Sequence, residues 1–350
     1  MSDITEQLRE RVLAAAVDKQ PLRIRGGGSK DFYGNPPVGE LLDTTGHAGI
    51  IAYEPTELVV TVRAGTRLAE LEAALGEKGQ MLAFEPPLFG DATVGGCVAA
   101  GLSGPRRATA GAARDFVLGV KVLDGKGELL NFGGQVMKNV AGYDVSRLMT
   151  GAMGTLGLLL EVSLKVLPKP HAEATLRLEL PQDKAIEAIN RWGGQPLPLS
   201  ATCWSDDLLS VRLSGARAAV AAARERIGGE AVAGAEGFWR ALREQQMDFF
   251  SGTQALWRLS LPSKAAPLDL PGSPLIEWGG AQRWVCSAAP ASLVREAAAR
   301  AGGHATLFRG DKSAGAFAPL KAPLDRIHRE LKKAFDPSGV FNPGRMYPGL

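Results

Sequence analysis

Forty-three glycines in a chain of 350 residues set the strongest limit on what this sequence can fold into. Average usage is about 7%. The informative glycines lie before residue 160, in "RGGGS" (25–29), "VGGCVAAGLSG" (94–104) and "GAMGTLG" (151–157). Few Ser or Gln accompany them, so they read as tight turns and close backbone approaches in a folded chain, not as disorder.

"PLRIR" alternates like a short strand and runs straight into the glycine triplet. On its residues alone the loop is either a glycine turn between two strands or a nest of N–H groups for an anion such as a pyrophosphate. "GGGSKD" lacks the last glycine of G-x-G-x-x-G, and no Walker A pattern occurs in the chain. The second glycine set places Thr93, Gly95 and Gly96 where a helix N-terminus would favour phosphate. The alternative there is a small-residue helix packed tightly on its neighbour. Two such loops on one predicted domain suit a dinucleotide held without a Rossmann loop.

Around these loops the pattern is mixed α and β. Residues 3–17 predict an amphipathic helix, with Ile4, Leu8 and Val12 on one stripe and Asp3 and Glu6 at capping-box spacing. "GIIAYEPTELVVTVRAGT" predicts two strands split at Pro55. "RLAELEAALGEKG" predicts a helix capped by Thr66 and ended at Gly79. "FVLGVKVLDGKGELLNF" predicts a hairpin, and Leu158 to Val166 a strand. Lys169-Pro170 marks a boundary. Beyond it, 174–180 and 208–213 alternate like half-buried antiparallel strands. "SGARAAVAAARERIGG" and "PASLVREAAARAGG" predict helices, and "LIEWGGAQRWVCS" a hairpin around Gly279-Gly280. The last helix stops at Asp336-Pro337. The expected organisation is an α+β chain with a nucleotide-binding domain over 1–170, a smaller cap-type domain with antiparallel sheet over 171–318, and a C-terminal segment, 319–350, that returns to the first domain. All six tryptophans fall in the second domain, where core and interface packing accounts for them.

Composition excludes several classes. Forty basic against 37 acidic residues give a net charge of +3, with no basic block, so no nucleic-acid surface is expected. Cys97, Cys203 and Cys286 are far apart, which argues against a disulfide framework, a zinc site or a ligated iron–sulfur cluster and fits a reducing compartment. No secretory signal and no run near 18 apolar residues is visible, so the expectation is a cytoplasmic chain with at most peripheral membrane association through partners.

Five motifs in order, "PLRIRGGGS", "TVGGCVAAGLSG", "GAARDFVLGVKVLDGKGELL", "NVAGYDVSRLMTGAMGTLGLLLEVSLKV" and "FDPSGVFNPGRM", resemble the vanillyl-alcohol oxidase (PCMH-type) FAD-binding family. The resemblance covers residues 20 to about 168 plus 334–346. Within that family the chain is most similar to the FAD-binding subunits of bacterial glycolate oxidases. The resemblance implies a fold of two α/β subdomains around FAD plus a cap. It implies that Arg25, Gly26, Gly27, Gly28 and Ser29 hold the pyrophosphate, and that Pro86, Thr93, Gly95 and Gly96 line the other side of the flavin path. Gly101 and Gly104 would allow close approach, and Arg114-Asp115 would lead into the hairpin. Gly154, Leu156, Gly157 and Val162 would surround the adenine end, and Asn342 would return towards the isoalloxazine. Covalent relatives place a histidine in the first glycine loop. This loop carries Ser29, so non-covalent FAD is expected.

Catalytic relatives also carry a histidine-rich run near the end of the cap. The comparable stretch here, "GHATLFRGDKSAGAF", keeps His304 as a candidate base and Arg309 as a candidate carboxylate or flavin partner. The resemblance implies oxidation of a small 2-hydroxy acid, glycolate to glyoxylate. It also implies two partners, a catalytic flavoprotein subunit with the full histidine run and an iron–sulfur subunit. Two alternatives stand beside it: a self-sufficient dehydrogenase with His304 as base, and a structural subunit that has lost FAD.

Overall fold

The computed structural model describes residues 4–134, 143–252 and 254–350. Helix α1 (Ile4–Asp18) buries Leu8, Val12 and Ala15, one stripe of its surface. Asp3 of the expected capping box lies outside the described residues. Strands β1 (Leu22–Arg25) and β2 (Glu40–Asp43) pair in parallel and pack Leu22 and Leu42 against the α1 stripe.

The chain continues through β3 (Ile50–Glu54), β4 (Val59–Arg63), α2 (Leu68–Glu77), β5 (Gln80–Met81), α3 (Val94–Ala100), α4 (Arg107–Ala110), β6 (Val117–Leu123), β7 (Leu129–Gly133), α5 (Val145–Met149), β8 (Leu158–Lys165) and β9 (Leu167–Pro168). Five of these strands form an antiparallel sheet in the order β3-β4-β8-β6-β7. A single turn over Pro55–Glu57 divides β3 from β4, as a residue with fixed φ and no N–H requires. The central strand β8 serves two cores. Leu159, Val162 and Leu164 meet α2 and α3, whereas Leu158 and Leu160 meet α1 and β1. A register shift opposite Lys121 and Val122 makes the switch, because one extra residue reverses the facing of every side chain beyond it.

Thr66 does not cap α2. The N-cap is Arg67, with no side-chain cap bond. The Thr66 hydroxyl donates to Arg63 O (2.7 Å) and accepts from Gly49 N (2.9 Å), fastening the turn before the helix. Gly79 follows the C-cap Lys78 with φ of +66°, as the sequence predicts.

After Lys169-Pro170 come β10 (Ala172–Glu179), α6 (Gln182–Gly193), β11 (Leu199–Ser205), β12 (Leu208–Gly215), α7 (Arg217–Ile227), β13 (Glu230–Val232), α8 (Glu236–Arg243), β14 (Leu256–Ser260), β15 (Pro274–Glu277), β16 (Gln282–Cys286), α9 (Ala291–Arg300), β17 (His304–Arg309) and α10 (Leu324–Phe335). The eight strands form one sheet in the order β13-β10-β12-β11-β15-β16-β14-β17. Helices α6 and α7 pack on one end of one face and α9 on the other end. The opposite face meets the first half of the chain. There Tyr33, Leu102 and Met153 join Leu275, Trp284 and Phe308 in one apolar cluster.

Charged groups also cross this seam. Glu85 accepts from Arg106 N (2.9 Å) and Arg212 Nη2 (2.9 Å), and Arg106 Nη2 reaches Glu173 (2.5 Å). Burial alone would raise the Glu85 carboxyl, but Arg212 and Arg106 together hold it below the ordinary carboxylate range. Beyond α10 the chain returns to β1: Leu22 N donates to Val340 O (2.7 Å), and Asn342 N to Leu22 O (2.9 Å). This return sets one lip of the cleft described next.

Candidate functional site

A cleft lies between the end of β1, helix α3 and the turn before β8. Its first wall runs from Arg23 to Asp31 and contains the glycine triplet. A Cβ on Gly26 would collide with the Thr93 hydroxyl, and one on Gly27 with the carbonyl oxygen of Asp91. Gly28 adopts a φ of +70°, which a side chain would strain. The triplet is therefore required by the protein itself, because it lets the first loop lie directly on the second.

That close fit frees the backbone on the other side. The amide hydrogens of Gly26, Gly27, Gly28 and Ser29 take no partner among the described residues. Unpartnered N–H groups beside a cleft call for an acceptor. The side chains around them are mostly cationic: Arg23, Arg25, Lys30 and Arg345 line the cleft, against the single carboxylate of Asp31. Asp31 pairs with Arg23 and lies 3.1 Å from Arg25 Nε. Burial lowers the Lys30 ammonium, with opposing pulls from Cys97 and Glu244. Burial also pushes the Arg345 guanidinium down to about 10. At about 10 the Arg345 guanidinium remains a cation at neutral pH, and an anion in the cleft would offset the desolvation of both groups. The lining chemistry fits an extended ligand with a diphosphate.

The second glycine set works differently from the sequence expectation. Thr93 does cap α3, accepting from Gly96 N at 3.2 Å. However, Val94 N donates to Thr66 O (2.9 Å) and Gly95 N to Ala64 O (2.7 Å). The donors of this helix start are spent inside the protein, so α3 offers no phosphate site. A Cβ on Gly95 would sit 2.7 Å from that of Ala64. The small-residue reading is the one that holds for α3: it packs tightly on the chain leaving β4.

Of the residues singled out in the sequence, Arg25, Gly26, Gly27, Gly28, Ser29, Thr93, Gly95, Gly96, Gly154, Gly157 and Asn342 meet at this cleft. Asn342 does so as a clasp. Its Oδ1 accepts from Ile24 N (2.8 Å) and its Nδ2 donates to Met153 O (2.7 Å). The side-chain amide thus ties the C-terminal return to two cleft walls. Pro86, Gly101, Gly104, Arg114, Asp115, Leu156 and Val162 do not line the cleft. Val162 is fully buried in mid-strand, paired with Val62 and Val120. Gly104 sits in the seam, where its carbonyl accepts from Trp278 Nε1 (3.0 Å). Asp115 closes a local turn by accepting from Ala112 N (2.9 Å).

His304 stands exposed at the first position of β17, opposite Ser260, and does not line the cleft. Its pKa is lowered by desolvation and then by Arg258. Arg309 stacks over Phe32 (4.7 Å to the ring centre), Phe308 (5.4 Å) and Phe89 (5.6 Å). Sequence reasoning missed Arg23, Lys30, Asp31 and Arg345. Arg23 and Lys30 were within reach, because cations at 23, 25 and 30 flank the glycines in "LRIRGGGSKD".

Residues 3–133 match the family described as FAD binding domain. The Escherichia coli (strain K12) protein named glycolate oxidase subunit GlcE is 54% identical over 350 residues, 99% of this chain and 99% of that protein. The Bacillus subtilis (strain 168) protein named glycolate oxidase subunit GlcD is 30% identical over 174 residues, 49% of this chain and 37% of that protein. Among solved structures, an alkyldihydroxyacetonephosphate synthase matches with a TM-score of 0.68 at 16% identity, covering 97% of this chain and 74% of that one. At that identity the last likeness concerns the fold alone.

Proposed function

The chain belongs to the family of the glycolate oxidase subunit GlcE, and from that premise we propose that it is the FAD-holding chain of a multi-subunit glycolate oxidase, with the flavin nucleotide in the cleft between β1, α3 and the turn before β8. The observation that carries the reading is the row of unpartnered amides from Gly26 to Ser29 among Arg23, Arg25, Lys30 and Arg345. A diphosphate is a dianion with many acceptor oxygens, and it answers both features at once. The flavin supplies two-electron acceptance from the 2-hydroxy acid. The residues of this chain bind and orient it, and α3, the end of α5 and the turn before β8 give it an apolar bed of Ala99, Ala100, Met149 and Met153.

The flavin is held without a covalent bond, since Ser29 occupies the loop position and no histidine lines the cleft. Electrons leave through partner chains, a second flavoprotein chain and an iron–sulfur chain. With Cys97 and Cys203 buried and far apart, this chain offers no cluster ligands of its own. Among the described residues, no helix is long and apolar enough to cross a membrane. Any membrane association would run through those partners.

The test is to purify the chain alone and together with co-expressed partner chains. The chain alone is expected to carry close to one flavin per chain, and its flavin should be released entirely into the supernatant by acid precipitation. Anaerobic glycolate should bleach the flavin of the assembly. A colourless chain, or colour locked in the acid pellet, sinks the reading. Gly27→Ala gives a second check. Its Cβ would strike the Asp91 carbonyl and push the first loop off the second. Flavin content should fall by about tenfold or more, the effect of misplacing several charge-assisted bonds. Normal flavin content in that variant would show that the loop is not the cradle.

A further inference from the structure

A carboxylate from the second half of the chain reaches across the seam to the loop beside the flavin cleft. Glu244 stands at the C-cap of α8, and its side chain is only 10% exposed. Its Oε2 accepts from two consecutive backbone amides, Leu88 N (3.1 Å) and Phe89 N (2.9 Å). Arg243 Nε lies 2.8 Å from Oε1, and Arg243 Nη1 donates to Glu72 (3.2 Å), so one guanidinium serves two carboxylates.

The two amides matter because of what their loop carries. Phe89 adopts a φ of +50°, the left-handed region that a bulky side chain seldom takes. Such a turn persists only where its surroundings fix it, and hydrogen bonds to an ionised acceptor are strong ones. On one side of the turn, the Leu88 carbonyl accepts from Lys30 Nζ (3.3 Å), and the Phe89 ring centre lies 5.5 Å from the same ammonium. On the other side comes Asp91, whose carbonyl leaves no room for a Cβ on Gly27. Lys30 lines the flavin cleft, and its acceptors are two neutral oxygens, Leu88 O and Ser29 Oγ (3.2 Å). It pairs with no carboxylate among the described residues. Its place therefore depends on where the Leu88 carbonyl is held, and Glu244 holds it.

We propose that Glu244 is a positioning residue for the flavin: by fixing Leu88 and Phe89 it sets the Lys30 ammonium at the cleft, so that FAD retention depends on how α8 sits on the first half of the chain. The inference rests on the flavin reading above. A carboxylate that only fastened the two halves together would act on flavin independently of Lys30. A carboxylate that acts through Lys30 loses its effect on flavin once the ammonium is gone.

The test titrates FAD into the flavin-stripped full chain and follows the quenching of flavin fluorescence. Four proteins are compared: wild type, Glu244→Gln, Lys30→Met and the double variant. Each single change should weaken FAD binding by about tenfold or more. The double variant should bind within about twofold of the weaker single one, because both changes remove the same contact. Losses that multiply to about a hundredfold in the double variant overturn the assignment, and so does unchanged affinity in either single one. Should Glu244→Gln fail to fold, Glu244→Asp takes its place in the cycle. It keeps the charge but withdraws it from the two amides by one methylene, and the same non-additive loss is expected. A wild-type chain that takes up no FAD fails the flavin reading itself, whereas FAD uptake with independent losses fails only the role of Glu244.

Discussion

Lys332→Met should cost about 3–5 kcal/mol of unfolding free energy, the usual effect of leaving one partner of a buried ion pair alone. Lys332 Nζ donates to Asp336 Oδ2 (2.7 Å), Thr155 O (2.8 Å) and Phe341 O (2.7 Å). Asp336 also accepts from Val340 N (3.1 Å) and Phe341 N (2.8 Å). The site is dry: Asp336 is 1% exposed and Lys332 8%. Burial lowers the Lys332 ammonium even though Asp336 pulls it upward, so desolvation outweighs the attraction between the two. The pair thus adds little net stability as a whole, yet losing the cation strands a carboxylate and two carbonyls. Its placement matters more than its energy. It joins the last turn of α10, the turn before β8 and Phe341, and the next residue, Asn342, clasps two walls of the cleft. Lys332→Met should therefore lose flavin as well as stability. Urea unfolding alongside flavin absorbance reads both. A loss under 1 kcal/mol with full flavin would remove Lys332 from this account.

Lys332 also marks the limit of what the sequence discloses. In "HRELKKAF" it looks like any solvent-facing lysine near a helix end, and its three acceptors come from residues 155, 336 and 341. The helix was legible, and so was its end at Asp336-Pro337. The same division runs through the cleft. "RGGGS" announces an unusual backbone. What the glycines avoid, the Asp91 carbonyl and the Thr93 hydroxyl, lies more than sixty residues away. A helix start at Thr93 was legible because the signals for it are local. That the α3 donors are used up by Ala64 and Thr66 was not legible, since it depends on how closely the helix lies on β4. Val162 carries the same lesson. It belongs to a motif typical of the family but serves the sheet core. A motif fixes where the chain runs, and packing decides which of its side chains reach the ligand.

Glu277→Gln should flatten the pH dependence of stability between pH 5 and 8. Burial pushes the Glu277 carboxyl from an ordinary 4.5 up to about 7; the Trp284 and Gln282 donors pull it back, and Glu85 adds a smaller push upward. The folded state therefore holds a proton that the unfolded chain has released between those two values. More protons bound in the folded state means that stability falls as pH rises through that window. At about 1.4 kcal/mol per pKa unit, the full span is about 3 kcal/mol. Glutamine keeps the shape and an oxygen to accept from Trp284 and Gln282, and it has no proton to lose. Near pH 4.5 the two proteins should be close in stability, and at pH 8 the variant should be the more stable by up to about 3 kcal/mol. The difference between the two proteins cancels every other titrating group. Parallel stability curves across the range would mean that Glu277 is ionised in the folded chain at no cost. The seam would then have to supply a cation to it, and Arg258, which lies on the same sheet face, donates to the Tyr33 hydroxyl and has no carboxylate partner among the described residues, is the group that would have to move.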